Sequence, residues 1–303
     1  MLRTAILGLL ACLVAACGQP DGPEDTSREQ VNPLLWEIAR ADQPETSPDA
    51  GEPKGWLLGT IHALPDDTQW RAASTDRAIA EADVLAVEIA DLSNGGGMSS
   101  AFLSLAYSAG QPPLTARVPA DQRERLAELV DETSYRLDDF SRIESWGAAL
   151  ILAQAVGRDA KTANGIDRAL LREFASRRIV ELEGARAQFQ AFDSLSERAQ
   201  RAMLAAIVEE SQADPETLER PVRLYLAGDD AGLEKLSREG MLGNSEIREA
   251  LLARRNASWM PQIERLLADD ARPLIAVGAA HMVGEDGLVA LLEAKGYRVT
   301  RLR

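Results

Sequence analysis

The chain has only two histidines in 303 residues, and both close the same four-residue pattern: Gly59-Thr60-Ile61-His62 and Gly278-Ala279-Ala280-His281. Glycine makes up 22 residues, so a glycine three places before both histidines arises by chance in roughly half a per cent of such chains. Each pattern follows an apolar run, Trp56-Leu57-Leu58 in one case and Leu274-Ile275-Ala276-Val277 in the other. Such runs read as short buried strands ending in a turn. In open α/β sheets ligands bind beyond the carboxyl ends of the strands, and a glycine there lets backbone or ligand approach closely. Two imidazoles from distant parts of the chain are therefore expected to meet in one crevice.

The N-terminus reads as an export signal. Met1-Leu2-Arg3 gives a positive start, and Ala5 to Ala16 gives an apolar stretch too short to span a bilayer. The stretch ends in Leu13-Val14-Ala15-Ala16-Cys17, which resembles the lipobox of bacterial lipoproteins and implies lipid attachment at Cys17. Residues 1–16 are thus expected to be a signal peptide, and 17–30 a lipidated cysteine with a polar tether containing Pro and Gly. Residues 31–303 are expected to form a single domain. Several acyl chains would hold the protein to a membrane. Gly18, rather than Asp, after the cysteine favours the outer membrane by similarity to lipoprotein sorting, with the chain facing the periplasm. The only other cysteine, Cys12, lies in the signal, so an internal disulfide is not expected. The net charge of −15 becomes −16 without Arg3 and opposes nucleic-acid partners.

The element pattern points to an α/β (mixed α+β) fold, a central sheet with a largely helical middle insertion. Leu34 to Ile38 and Gly55 to Ile61 read as two strands of a hairpin, with Thr75 as N-cap of a helix over Asp76 to Ala82. Val84 to Ile89 reads as a buried strand with the carboxylate of Glu88 set into it. Helical spacing runs over 120–132, 145–156, 167–176, 194–211 and 215–226, then over a long stretch from about Ser245 to Leu267. Ser194 to Glu197 resembles a capping box. Ile179 to Glu183 is a strand candidate, and Asp286 to Ala294 a helix before a last alternating strand, Tyr297 to Leu302. Trp36, Trp56, Trp146 and Trp259 sit in apolar patterns and read as core.

Common catalytic designs are missing from the sequence: there is no Gly-x-Ser-x-Gly elbow, no His-Glu-x-x-His helix and no P-loop ending after the glycines of 278–284. Instead, the blocks LLWEIAR (34–40), WLLGTIHALP (56–65), LAVEIAD (85–91), GIDRALL (165–171), VELEGARAQFQAFDSLSERAQ (180–200), RRNASWMPQIERLL (254–267) and AVGAAHMVGEDGLVALLEAKGYRV (276–299) resemble the TraB/GumN (TraB, PrgY and GumN) family. That group includes the TIKI proteins, described as metal-dependent proteases. The resemblance implies functional roles for His62, Glu88 and His281, with Arg255 and Asn256 as polar partners. Ala280 and Met282 depart from the commoner Gly-Ala-Gly-His-Leu form of the second motif. More distant relatives, resembling erythromycin esterases and ChaN, differ in activity, so membership alone leaves the reaction open.

Two neutral imidazoles and a carboxylate suit Zn, Mn, Fe or Co and leave positions for water or substrate. His62, His281 and Glu88 are therefore the candidate ligands of a divalent metal (Mn, Co or Zn), which would generate a hydroxide and polarise a carbonyl. Glu88 could instead act as general base, with Arg255 or Asn256 stabilising an oxyanion. Glu183 and Gln188 read as structural contacts. The leading expectation is a metal-dependent, peptidase-like hydrolase acting on a peptide or small molecule. Its rivals are an esterase-like hydrolase without metal and a non-catalytic lipoprotein binding haem or another ligand.

Overall fold

The computed structural model describes residues 31–41, 53–91, 95–156, 164–269 and 271–303. The expected signal peptide, Cys17, the tether and the middle of the first hairpin loop lie outside the described residues.

Six strands form one mixed sheet: β1 Leu35–Arg40, β2 Gly55–Thr60, β3 Val84–Val87, β4 Arg178–Glu181, β5 Pro273–Gly278 and β6 Tyr297–Leu302, in the order β4-β3-β5-β2-β1-β6. The first two form the expected antiparallel pair, with Leu35 opposite Leu58, and β6 runs antiparallel along the other side of β1. β4, β3, β5 and β2 are mutually parallel. β2 and β3 are buried along their whole length, as is β5 up to Gly278. This explains why they read as continuous apolar runs rather than as alternation. β6 lies at the edge and alternates between half-buried and exposed positions, as its sequence does.

The helices are α1 Ala73–Glu81, α2 Gly95–Ala106, α3 Arg123–Asp131, α4 Ser145–Val156, α5 Ile166–Glu173, α6 Gly184–Asp193, α7 Glu197–Glu210, α8 Pro215–Ala227, α9 Asp230–Leu236, α10 Ser245–Arg248, α11 Arg254–Ala268 and α12 Leu288–Ala294. A π-helical turn, Glu249–Ala253, joins α10 to α11, so the long helix expected from Ser245 is one rod with a widened turn. Among the described residues no helix is long and apolar enough to cross a membrane.

Three local expectations change. Thr75 is not the N-cap of α1: Asp76 N–H already bonds the Ala72 carbonyl at 3.0 Å, so the helix starts at Ala73 and Thr75 is buried inside it. The capping carboxylate of α7 comes from far away. Ser196 caps Ala199 N–H, while Glu246 accepts from Ser196 N at 2.7 Å and from its Oγ at 2.8 Å, leaving Glu197 to bond Ser145 and Arg201. Glu88 is not inside the third strand but directly follows it.

Two clusters of buried apolar side chains organise the packing. One lies against the sheet and holds Trp56, Leu85, Leu274, Ile275 and Trp259. The other fills the helical insertion around Phe102, Leu126, Trp146, Phe189 and Met203. In the second, Trp146 meets Phe102 edge-on at 5.4 Å between centroids and stacks on Phe192 at 6.0 Å. Arg117 is buried beside this cluster and ties its loops by donating to the carbonyls of Pro112, Phe140 and Ile143. Trp146→Ala removes the aromatic centre of the insertion, so it is expected to lower unfolding stability by about 3–5 kcal/mol in urea titration.

Candidate functional site

The four parallel strands end on the same side of the sheet, and each delivers a side chain there. His62 lies two residues beyond β2, Glu88 one beyond β3, Glu183 two beyond β4 and His281 three beyond β5. The start of α11 adds Arg255 and Asn256, both buried. All five residues expected from the sequence therefore converge, and Glu183 joins them.

Arg255 sits at the centre. Its Nη2 donates to Glu88 Oε2 at 2.5 Å and also to Glu183 Oε1, and its Nε reaches the Glu183 carboxylate at 3.0 and 3.1 Å. Its Nη1 donates to the Leu251 carbonyl in the π turn at 3.0 Å and lies 3.2 Å from His281 Nε2. Glu88 Oε1 accepts from Gly278 N–H at 2.8 Å, and Oε2 also accepts from Gln188 Nε2 at 3.3 Å. Trp259, which the sequence assigns to the core, is buried but also walls the site. Its Nε1 donates to Glu183 at 3.2 Å and its ring lies 4.6 Å from that of His281.

The two histidines are held differently. Asn256 Nδ2 donates to the carbonyls of Asp286 at 2.7 Å and His281 at 3.3 Å, which points its Oδ1 at His281 Nδ1, 2.7 Å away. An amide oxygen only accepts, so Nδ1 carries the hydrogen and Nε2 the lone pair. His62 Nδ1 instead meets the carboxylate of Asp167 at 2.7 Å, whose other oxygen accepts from Thr60 Oγ1 at 2.7 Å. Asp167 is brought there by close packing: Ile166 N–H bonds the Ile61 carbonyl at 3.0 Å, and a Cβ on Gly165 would stand 2.1 Å from the His62 carbonyl oxygen. Only glycine lets α5 begin so near the strand end.

The glycines of the two matching motifs also do different work. A Cβ on Gly59 would press on Leu34 Cβ at 3.0 Å, so its role is packing. Gly278 faces the site: a Cβ there would lie 3.4 Å from Glu88 Oε1, 3.5 Å from His62 Nε2 and 3.7 Å from His281 Cδ2. The missing side chain leaves space where three donor groups meet.

Charge follows from these contacts. Burial pushes the Glu88 carboxyl up, but Arg255 and the Gly278 N–H outweigh it and hold it at about 2. For His62, burial pulls the imidazole down while Asp167 pulls harder the other way, raising it to about 9. Burial and the Arg255 charge both act against protonated His281 and bring it down to about 3. His281 is therefore neutral and His62 cationic near neutral pH. Glu88 and Glu183 share the Arg255 guanidinium, and Asp167 faces the imidazolium of His62, which supplies the second positive charge.

A divalent ion matches the donors in kind: each imidazole has its Nδ1 occupied by a fixed partner, the arrangement that orients metal-binding histidines, and Gly278 leaves room beside a carboxylate. Two features of the arrangement bear on such an ion. Arg255 already donates to His281 Nε2, and among the described residues no group of three or more His, Cys, Asp or Glu side chains is gathered to hold a metal as it stands. The donor types suit a divalent ion, the side chains are not gathered around one, and an ion taking His281 would compete with that guanidinium bond.

The model of the TraB/PrgY/gumN family matches residues 34–301, and the chain belongs to that family. Searches of curated proteins and of solved structures give no match.

Asp167 and Thr60 are site residues that the sequence reading did not single out, and Glu183 and Gln188, read there as structural contacts, also stand in the site. Asp167 lay inside GIDRALL, Thr60 inside WLLGTIHALP, and Glu183 follows its strand as Glu88 follows the neighbouring one. The His62–Asp167 pair makes a pH prediction for protein free of added cations. Because the folded-state value of His62 is raised, its contribution to stability is complete below the unfolded value of 6.5 and disappears as pH rises through about 9. Urea unfolding across that window is expected to show wild type converging on Asp167→Asn as pH increases.

Proposed function

We propose that this chain is an envelope-anchored, peptidase-like hydrolase whose site takes a divalent cation on His62, Glu88 and His281. The observation that carries the reading is the ring geometry: Asp167 and Asn256 occupy the two Nδ1 atoms, and at the gap of Gly278 His62 Nε2 and Glu88 Oε1 meet the Cδ2 edge of His281, next to its Nε2. Bound there, Mn²⁺, Co²⁺ or Zn²⁺ would supply a Lewis acid and a water acidic enough to attack a carbonyl.

The chain's own residues define what surrounds that chemistry. Asp167 holds the His62 ring and faces its charge, while Asn256 fixes the His281 tautomer and burial together with Arg255 keeps that ring neutral. Arg255 provides a fixed positive charge where a carbonyl oxygen would become anionic. Trp259 and the apolar strand ends keep water from the inner wall. The way in is past His62, whose side chain is 27% exposed against 6% for Glu88. A carbonyl group of a peptide or small molecule would thus reach His62 first and Arg255 last.

A second reading rests on the Arg255–His281 bond. If the guanidinium keeps that nitrogen, the chemistry falls to His62 as general base, oriented by Asp167 and free of its proton only as pH rises through about 9, with Arg255 as the electrostatic partner and no metal. Anchoring through lipidated Cys17 at the outer membrane, facing the periplasm, belongs to the same proposal. Cys17→Ser is expected to move the protein from the membrane to the soluble fraction.

Calorimetric titration of Mn²⁺, Co²⁺ and Zn²⁺ into the detergent-solubilised protein separates the readings. One ion per chain is expected, with affinity about 10–100-fold weaker in Asp167→Asn, which disturbs only the ring's orienting partner. Binding is expected to vanish in a His62→Ala/His281→Ala variant that still melts cooperatively, and cleavage of a peptide library to stop with chelator. Absence of binding with chelator-resistant cleavage would assign the metal-free mechanism. Absence of both would overturn the hydrolase.

A further inference from the structure

Apart from the strand-end site, a cleft of about 350 Å³, open to solvent, lies between the end of α9, the π turn and the loop after His281. His62, Glu88, Glu183 and Arg255 do not line it, but Asn256 does and so belongs to both. The lining carries charges of both signs. Arg248 comes from α10, and Glu285 and Asp286 come from the loop, with Leu252 and Val283 as apolar surface. Arg238 also lines the cleft and is paired with Glu234 at 3.0 Å. Among the described residues, Arg248, Glu285 and Asp286 make no ion pair, with one another or elsewhere. The loop turns into this position at Gly284, whose φ of +83° favours glycine. Asn256 Nδ2 holds the carbonyl of Asp286 at 2.7 Å, while its Oδ1 fixes His281 Nδ1.

We infer that this cleft binds a small dipolar molecule, with a carboxylate on Arg248 and an ammonium group at Glu285 and Asp286. That chemistry belongs to a free amino acid or to a short peptide with both ends free. Opposite charges that share a cleft without pairing leave room for a ligand that meets both, and low-dielectric walls strengthen each contact. A guanidinium takes a carboxylate through two parallel hydrogen bonds. A simple anion is disfavoured, because Glu234, Glu285 and Asp286 outnumber the two guanidiniums, and a simple cation gains nothing from Arg248. The size of the cleft falls at the small end of ligand pockets. The inference rests on the cleft's own charges and stands whether or not the chain hydrolyses peptides. Because Asn256 is common to both places, the occupant lies one residue from His281. The rival role is solvated surface charge that binds nothing.

Saturation-transfer NMR on the full, detergent-solubilised chain tests this with alanine and alanyl-alanine, each also in N-acetylated and C-amidated form. Chelator is kept present so that the probes are not consumed by metal-dependent cleavage. At least one free form is expected to bind, and to lose affinity about tenfold or more when either end is blocked. Alanine as the better ligand names a free amino acid, and alanyl-alanine a short peptide. Arg248→Gln is expected to weaken binding by about tenfold or more, and Glu285→Gln/Asp286→Asn by a similar factor. No binding of either free form overturns the inference, as does equal binding of the blocked forms. Binding that survives Arg248→Gln places the probe elsewhere, the strand-end site included, and overturns it too. Displacement of the probe by an equal concentration of inorganic phosphate makes this a plain anion site and overturns the dipolar assignment. The blocked probes need no variant, so they decide the question even if a substituted chain does not fold.

Discussion

The buried guanidinium of Arg255 is the contact on which the rest of the site depends. It is 7% exposed and lies between two carboxylates that belong to neighbouring strands, Glu88 after β3 and Glu183 after β4. Removing one partner of such a buried pair costs about 3–5 kcal/mol because a charge is stranded out of water. The strand ends therefore cannot drift apart without exposing or unpairing it. Through Nη1 the same group reaches His281 beyond β5 and the carbonyl of Leu251 in the π turn. One side chain thus ties three strand ends to the helix that carries Asn256. The widened turn sits directly before Arg255 and lends it a carbonyl, which fits the tendency of π turns to occur at functional positions.

The identical Gly-x-x-His patterns do not produce equivalent halves. Gly59 is a packing glycine and Gly278 a site glycine. Asp167 makes His62 a cation, whereas burial and Arg255 keep His281 neutral. The difference lies in the partners, one a carboxylate and one an amide oxygen, and those partners come from α5 and α11 rather than from the motifs. An Asp–His pair beside a neutral, fixed imidazole gives the site one group that exchanges a proton and one that does not.

That asymmetry explains how far the sequence could be read. The histidines were legible because only two exist and both end apolar runs, and Glu88 because a carboxylate stood in a buried strand. The spatial order β4-β3-β5-β2 was not legible, since strands adjacent in space are separated by about ninety residues between β3 and β4 and by about twice that between β3 and β5. Without that order nothing distinguishes Asp167 among 48 acidic residues, while Glu183 and Gln188, read as structural contacts, show their bonds to Arg255 and Glu88 only in the folded chain. The local misreadings have the same origin: α7 takes its capping carboxylate from Glu246, fifty residues away, so the nearby Ser194 to Glu197 pattern was satisfied by other partners.

Arg255 also sets the terms on which an ion could enter. The site carries three carboxylates, and the positive charges facing them are the fixed guanidinium and a proton on His62. A dication taking His62 Nε2 displaces that proton, so the exchange adds one net charge to a cluster that otherwise sits one short of neutrality. Arg255 can then remain paired with Glu183 and Glu88, because the only contact it must yield is the one to a neutral nitrogen. Like the bond to the Leu251 carbonyl, that contact strands no charge when it is lost. The bond at His281 is therefore cheaper to break than either carboxylate contact, and the same guanidinium, held by Glu183, stays beside the reacting carbonyl in either form of the proposed chemistry.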